Sequence, residues 1–312
     1  MKKIVISCAL TLSFVLPLIA VLFVVYSYHP EVDLEEMKAK YQYPESKYVN
    51  VNGLWVHYYE KGEGDTLLLL HGNGGNIHHF DEITEALSQY FKVIVLDYLG
   101  HGLTGPDPAL DYSNKNMLLF LEGFFDTLNL GRVHIAGNSM GGYWAMLYAQ
   151  KHPENIEKIV LLDAYGGICP GADYTAHFMP ENLPFAETVT AYVFPRFIVQ
   201  SEFEKNVYSS ASATDELVDL HYDMFSIKGN RMYRKYFSQY EHPRVSIEGD
   251  KLTQPILMLW GEKDSVHDLC EANDLVSRLN PERFTVMKGI GHLPMLENPR
   301  MVEKSMLDFL RG

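Results

Sequence analysis

The sequence predicts an α/β domain built on a mainly parallel sheet with helices on both faces. Three observations predict it: short uninterrupted apolar runs recur along the chain, turn-forming residues bound them, and longer stretches with helical spacing separate them. A strand buried on both faces needs apolar side chains on both, so it reads as a continuous run instead of an alternation. The 312 residues are enough for one large domain or two ordinary ones. With 47% apolar and 21% charged residues, a disordered chain or a disulfide-stapled mini-scaffold is excluded.

In chain order, Lys2 and Lys3 precede an uncharged apolar run over residues 4–26. As a helix that run would be about 35 Å long, enough to cross a hydrocarbon core of about 30 Å. A cleaved signal peptide would close on small residues, whereas Ala20 is followed by more apolar sequence up to Tyr26. The expectation is a transmembrane signal anchor over 1–28. The lysines lie before the span and Glu31, Asp33, Glu35 and Glu36 after it, so the N-terminus stays cytoplasmic and the remainder faces outward. Cleavage of the segment would instead make the protein secreted. A polar, helix-compatible linker, 29–47, comes next.

Residues 48–59 form a hairpin pattern around Asn52 and Gly53, flanked by Val49, Val51, Trp55, Val56 and Tyr58. Apolar runs at 66–70, 93–96, 133–136, 159–162, 256–260 and 283–287 supply the central strands. Their alternation with helices breaks over 165–250, a stretch rich in Phe, Tyr and Met that includes Phe178, Met179, Phe185, Tyr192, Phe194, Phe203, Tyr208, Met224 and Tyr233. Such an insertion needs its own core and also fits a lid over an apolar pocket. The expected organisation is a core of 48–164 and 251–312 carrying a helical lid, 165–250.

Forty acidic residues against 26 basic ones give a net charge of -14, which repels polyphosphate backbones, and no basic patch opposes it; nucleic-acid binding is not expected. Cys8, Cys169 and Cys270 form no CxxC pair, and Cys169 could join Cys270 only in an oxidising compartment. The 13 histidines show no HExxH spacing, and no metal is expected.

The strongest chemical pattern is Gly137, Asn138, Ser139, Met140, Gly141, with an apolar strand running into it and a helical pattern over 142–150 running out. A serine on so sharp a strand-to-helix turn is held exposed in a strained conformation, and glycines on both sides avoid clashes; a serine that merely capped the helix would not require them. Ser139 is therefore the candidate nucleophile. A serine hydroxyl needs a base, and the base an orienting acid. His292 follows the last strand and a glycine, on the same edge of the sheet as Ser139. Asp264 follows the run 256–260 and completes the order Ser, Asp, His, with Glu262 and Asp163 as rivals. A carboxylate at a strand end is otherwise a turn or capping group, the ordinary reading of Asp163 and Asp97. His71, Gly72, Asn73, Gly74, Gly75 follow the run 66–70, so the Asn73 N–H, with that of Met140, can serve as an oxyanion hole. The same loop lacks the lysine of a phosphate-binding GxxxxGK[ST] and any GxGxxG.

HGNGG at 71–75, DYLGHG at 97–102, GNSMGG at 137–142, WGEKD at 260–264 and GHLPMLENP at 291–299, in this order, resemble the α/β-hydrolase fold superfamily over about residues 48–310. The N-terminal span joined to GxSMGG is similar to membrane-associated monoacylglycerol lipases and bacterial lipases and esterases. The resemblance implies a serine hydrolase of carboxylic esters with no cofactor, acting on a small-molecule ester or lipid at a membrane bilayer, with no obligatory protein partner. GNSMGG is also similar to the hydrolases that cleave carbon–carbon bonds in aromatic ring-fission products. Those enzymes usually carry tryptophan directly after the catalytic histidine, where Leu293 stands here, and they are soluble. Haloalkane dehalogenases and epoxide hydrolases share parts of the pattern but use an aspartate nucleophile. A non-enzymatic receptor on the same fold is the third reading, and the complete triad and oxyanion loop oppose it.

Overall fold

The structure, a computed structural model, describes residues 15–19, 21–171 and 195–312. Its centre is an eight-stranded sheet: β1 Ser46–Val51, β2 Leu54–Lys61, β3 Thr66–Leu70, β4 Lys92–Leu96, β5 Val133–Asn138, β6 Ile156–Leu162, β7 Ile256–Gly261 and β8 Arg283–Met287, in the spatial order β1-β2-β4-β3-β5-β6-β7-β8. The β1–β2 and β2–β4 pairs are antiparallel, and every other pair is parallel. The hairpin turns on Asn52 (φ 52°) and Gly53 (φ 94°), two successive left-handed residues whose twist matches that of the strands they join.

The apolar runs are continuous because both faces of the sheet are covered. Along β3, Leu68 and Leu70 face one core, with Phe120 and Phe124 of α3 (Asn114–Leu128) and Trp144 of α4 (Met140–Lys151). Leu67 and Leu69 face the other, with Ile83 and Leu87 of α2 (Asp81–Leu87) and Val302, Met306 and Phe309 of α10 (Pro299–Leu310). This is the period-two geometry of a strand with no polar side. Strand β6 begins at Ile156, ahead of the apolar run at 159–162: Ile156 is buried and pairs with Val133, and the register then shifts past Glu157 and Lys158 before the ladder resumes at Ile159.

The stretch 29–47 departs from a free linker. Helix α1 (Leu34–Tyr41) is capped by the Asp33 side chain, and Met37 packs with Leu103, Leu220, Met224 and Ile227. Val32 forms a bridge with Ile227, and β1 already begins at Ser46. Local polarity suggested a tether, but Met37, the Val32 bridge and the bonds of Lys40 and Tyr41 to Asp223 hold it to the insertion.

Within the insertion, α5 (Arg196–Asn206), α6 (Asp215–Ser226) and α7 (Asn230–Phe237) bury Phe203, Met224, Tyr233 and Phe237, and the three aromatics join the cores on the two faces of the sheet, so part of the aromatic content serves to dock the insertion on the domain. Phe178, Met179, Phe185, Tyr192 and Phe194 lie outside the described residues. Among the described residues, no helix is long and apolar enough to cross a membrane. Residues 15–19 and 21–27 are helical, and residues 1–14 and 20 of the expected anchor lie outside the described set.

Phe124 is fully buried and meets the Tyr58 ring edge-on at 5.6 Å, joining α3 to β2. Phe124→Ala should cost about 3–5 kcal/mol of unfolding free energy in urea. Leu119→Ala, on the exposed side of the same helix, should cost less than about 0.5 kcal/mol.

Candidate active site

Strand β5 passes into α4 through Ser139, whose φ of 51° and ψ of −120° are far from ordinary conformations for a residue with a side chain. Three close approaches explain the glycines around it. A Cβ on Gly137 would overlap the Gly141 backbone, one on Gly141 would overlap the Leu70 carbonyl, and one on Gly142 would lie 2.6 Å from the Ala164 Cβ. The Ser139 N–H donates to the Leu162 carbonyl at 3.0 Å, and its own carbonyl accepts from Tyr143 and Tyr165 at 3.2 and 3.0 Å. The strained turn is thus fastened on both sides.

The structure brings the candidate residues Asp264 and His292 together. His292 Nδ1 donates to Asp264 Oδ2 at 2.8 Å, which leaves Nε2 as the basic nitrogen. Asp264 Oδ1 accepts from the N–H groups of Val266 and His267, at 2.7 and 3.0 Å. Burial by itself would raise the Asp264 pKa, yet the charge and hydrogen bond of His292 and the contacts of His267 hold it below the ordinary carboxylate value. The rivals do not occupy this position. Glu262 accepts from Gly289 N–H at 3.3 Å, and Asp163 accepts from Gly261 N–H at 2.7 Å.

Asn138 is a site residue that the sequence reading did not single out. Its Nδ2 donates to the Leu162 and His292 carbonyls, both at 3.0 Å, and so ties the serine turn to the histidine loop. A polar residue ending an otherwise apolar strand was the available signal. The HGNGG loop closes the other side: a Cβ on Gly72 would lie 3.1 Å from the Ser139 Cβ. Asn73 belongs to this loop, and Met140, as the first residue of α4, has no carbonyl of its own helix for its N–H. The loop is braced by His101, whose Nε2 accepts from Gly74 N–H at 3.0 Å while its Nδ1 donates to the Leu99 carbonyl at 3.0 Å.

Beneath this loop sits Asp97, fully buried. It accepts from Ile77 N–H and Leu103 N–H, each at 2.9 Å, and pairs with His57 Nδ1 at 2.7 Å. The expected capping role holds, and it joins the loops after β3 and β4.

The insertion also reaches the site. The His292 N–H donates to the Asn206 carbonyl at 2.8 Å, and Ser265 Oγ donates to the Lys205 carbonyl at 2.7 Å. Glu297 accepts from Tyr208 N–H and Gly291 N–H, both at 2.8 Å. Nearby, Cys169 and Cys270 are joined in a disulfide, so the pairing that the sequence left open is made. The insertion folds back over α8 (Leu269–Leu279), where a Cβ on Gly167 would overlap the Glu271 carbonyl.

A family model for the alpha/beta hydrolase fold matches residues 65–219. The chain is a hydrolase of the α/β-hydrolase fold. Among relatives of this hydrolase, a 2-hydroxy-6-oxononadienedioate/2-hydroxy-6-oxononatrienedioate hydrolase of Paraburkholderia phymatum is 28% identical over 284 residues, covering 85% of this chain and 95% of the relative. Lipase 1 of Psychrobacter immobilis is 28% identical over 251 residues, covering 77% and 75%. In three dimensions, this hydrolase resembles a membrane phospholipase A described as a bacterial virulence factor, with a TM-score of 0.74 at 22% identity over 100% of this chain and 99% of that one. It also resembles the meta-cleavage product hydrolase of Pseudomonas fluorescens IP01, with a TM-score of 0.69 at 22% identity over 85% and 97%.

Asp97 supplies a pH prediction. Burial alone would raise its pKa, but the hydrogen bond and charge of His57 and the Leu103 N–H bring it to about 2. A carboxylate with a depressed folded pKa adds stability that is present above its unfolded pKa and lost as pH falls through the folded one. The stability gap between wild type and Asp97→Asn, measured by urea unfolding, should narrow by about 2 kcal/mol from pH 5 to pH 2.

Proposed function

We propose that this hydrolase is a serine ester hydrolase of the lipase and carboxylesterase kind, held at a membrane by its N-terminal segment and acting on acylglycerols or other medium-chain carboxylic esters. The observation that carries the proposal is the 2.8 Å bond between His292 and Asp264, tied through Asn138 to the strained turn at Ser139. Ser139 Oγ attacks the ester carbonyl while His292 Nε2 accepts its proton and Asp264 holds the tautomer. The N–H groups of Asn73 and Met140 stabilise the oxyanion. Collapse expels an alcohol protonated by His292, and water then hydrolyses the acyl-enzyme by the same groups in reverse roles.

Two observations favour a membrane setting. The described part of the N-terminal apolar run exposes its side chains, with Val25 68% and Tyr26 83% accessible. The chain that follows is stitched to the insertion: Arg231 donates to the His29 carbonyl at 2.6 Å, and the His29 ring lies 4.6 Å from that of Tyr222. The Cys169–Cys270 disulfide suits an outward-facing, oxidising compartment. The second reading, a carbon–carbon hydrolase of ring-fission products, is favoured by the relative from Paraburkholderia phymatum; Leu293, in the place where tryptophan is usual, opposes it.

A fluorophosphonate probe should label the wild type but not Ser139→Ala, and His292→Ala or Asp264→Ala should each lose several orders of magnitude in turnover. Across p-nitrophenyl esters, monoacylglycerols and a ring-fission dienone, esters should lead. Their kcat/KM should rise by up to about tenfold per two methylenes until the pocket is filled. A dienone turned over faster than every ester would replace this reading with the second.

Full-length protein should stay with the bilayer through a carbonate wash. A chain beginning at Ser27, which keeps the packed stretch before β1, should be soluble and active. Full-length protein recovered in the wash would remove the anchor from the proposal.

A further inference from the structure

Two carboxyl groups stand together behind the histidine, and the mechanism uses only one of them. Asp163 follows β6 in a left-handed conformation, with a φ of 45°. It is fully buried, and its Oδ1 accepts from Gly261 N–H at 2.7 Å. Its Oδ2 is also buried and has no hydrogen-bond donor among the described residues. Asp163, Asp264 and His292 each contribute one oxygen or nitrogen atom to a group within 4.8 Å.

The count of donors around Asp264 completes the picture. Oδ1 takes two backbone N–H groups and Oδ2 takes His292 Nδ1, so of the roughly four lone-pair sites of a carboxylate one remains. Two ionised carboxylates in so dry a place would repel strongly, whereas one proton between them satisfies both the bare Asp163 oxygen and the last Asp264 site.

We propose that Asp163 is a neutral carboxylic acid whose Oδ2–H donates to the Asp264 carboxylate, making it a positioning residue that weakens the hold of Asp264 on a protonated His292. The inference deepens the triad reading and rests on it for its effect on rate. Burial first, and then the charge of Asp264, push the Asp163 pKa well above the ordinary carboxylate range, in keeping with this arrangement. Other titratable groups facing the pair are His292 across β7, His267 on the acid loop and Glu297 on α9 (Pro294–Glu297). Glu297 is half-buried, with its pKa raised by burial against the N–H groups that bond it.

Isotope-edited infrared spectroscopy of the full-length protein reads the proton without any turnover. At neutral pH the wild type should show a protonated-carboxyl band that Asp163→Asn removes and Glu297→Gln does not. The pH profile of kcat/KM supplies the second readout. Asn preserves both the left-handed backbone and a donor, so Asp163→Asn should keep the acidic limb within about 0.3 pH units and the rate within a few-fold. Asp163→Ala, which leaves Asp264 with an unshared lone pair, should raise that limb by about half a unit or more. Absence of the Asp163-dependent band, or an acidic limb that falls by about a unit in Asp163→Asn, as removal of a true negative charge would cause, would overturn the proposal. If the wild type hydrolyses no ester, the esterase reading fails while the infrared result still decides the state of Asp163.

Discussion

The backbone at Ser139 is the constraint from which the rest of the site follows. A residue with a side chain held at φ 51° and ψ −120° stores on the order of 1–3 kcal/mol of strain, and it persists only where its surroundings over-determine it. Here they do so by proximity. The turn brings the first residues of α4 so close to β3 and β5 that Gly137 and Gly141 have no room for a Cβ. The same closeness lays the HGNGG loop against the serine and makes the parallel order of β3, β5 and β6 a requirement of the chemistry as well as of the core.

Around that turn the polar groups form a connected set. Asp97 fastens the loops after β3 and β4 from below, His101 braces Gly74, and Asn138 reaches from the serine turn to the histidine loop. Each is buried, so each bond forms in a medium where leaving a partner unmatched costs about 1–3 kcal/mol. Preorganisation of this kind fixes donors in place before any ligand arrives.

What was legible in the sequence divides along the range of the interactions. The strand 66–70 is visible to the residue because burial on two faces leaves an unbroken apolar signature bounded by turns, whereas the edge strand 283–287 is half-exposed and shows itself only through Phe284, Val286 and Met287. Ser139, Asp264 and His292 are visible because local glycines and strand ends mark them. Asn138 and His101 lay inside quoted motifs, yet their partners, the His292 carbonyl and the Gly74 N–H, are distant in sequence, and no local pattern records such a bond. The packing of residues 29–47 on the insertion and the joining of Cys169 to Cys270 were hidden for the same reason: both depend on where the insertion folds back. Asp163 looked like a capping group because its conspicuous bond, to Gly261 N–H, is of that kind.

The end of α5 touches both loops that carry Asp264 and His292. Lys205 and Asn206 offer their carbonyls to Ser265 and His292, and Tyr208 shares Glu297 with Gly291. A molecule bulky enough to lever this helix end away would carry the imidazole with it and disturb its alignment with Asp264. The helix end and the pair thus move as one: whatever displaces Asn206 also displaces the bond between His292 and Asp264.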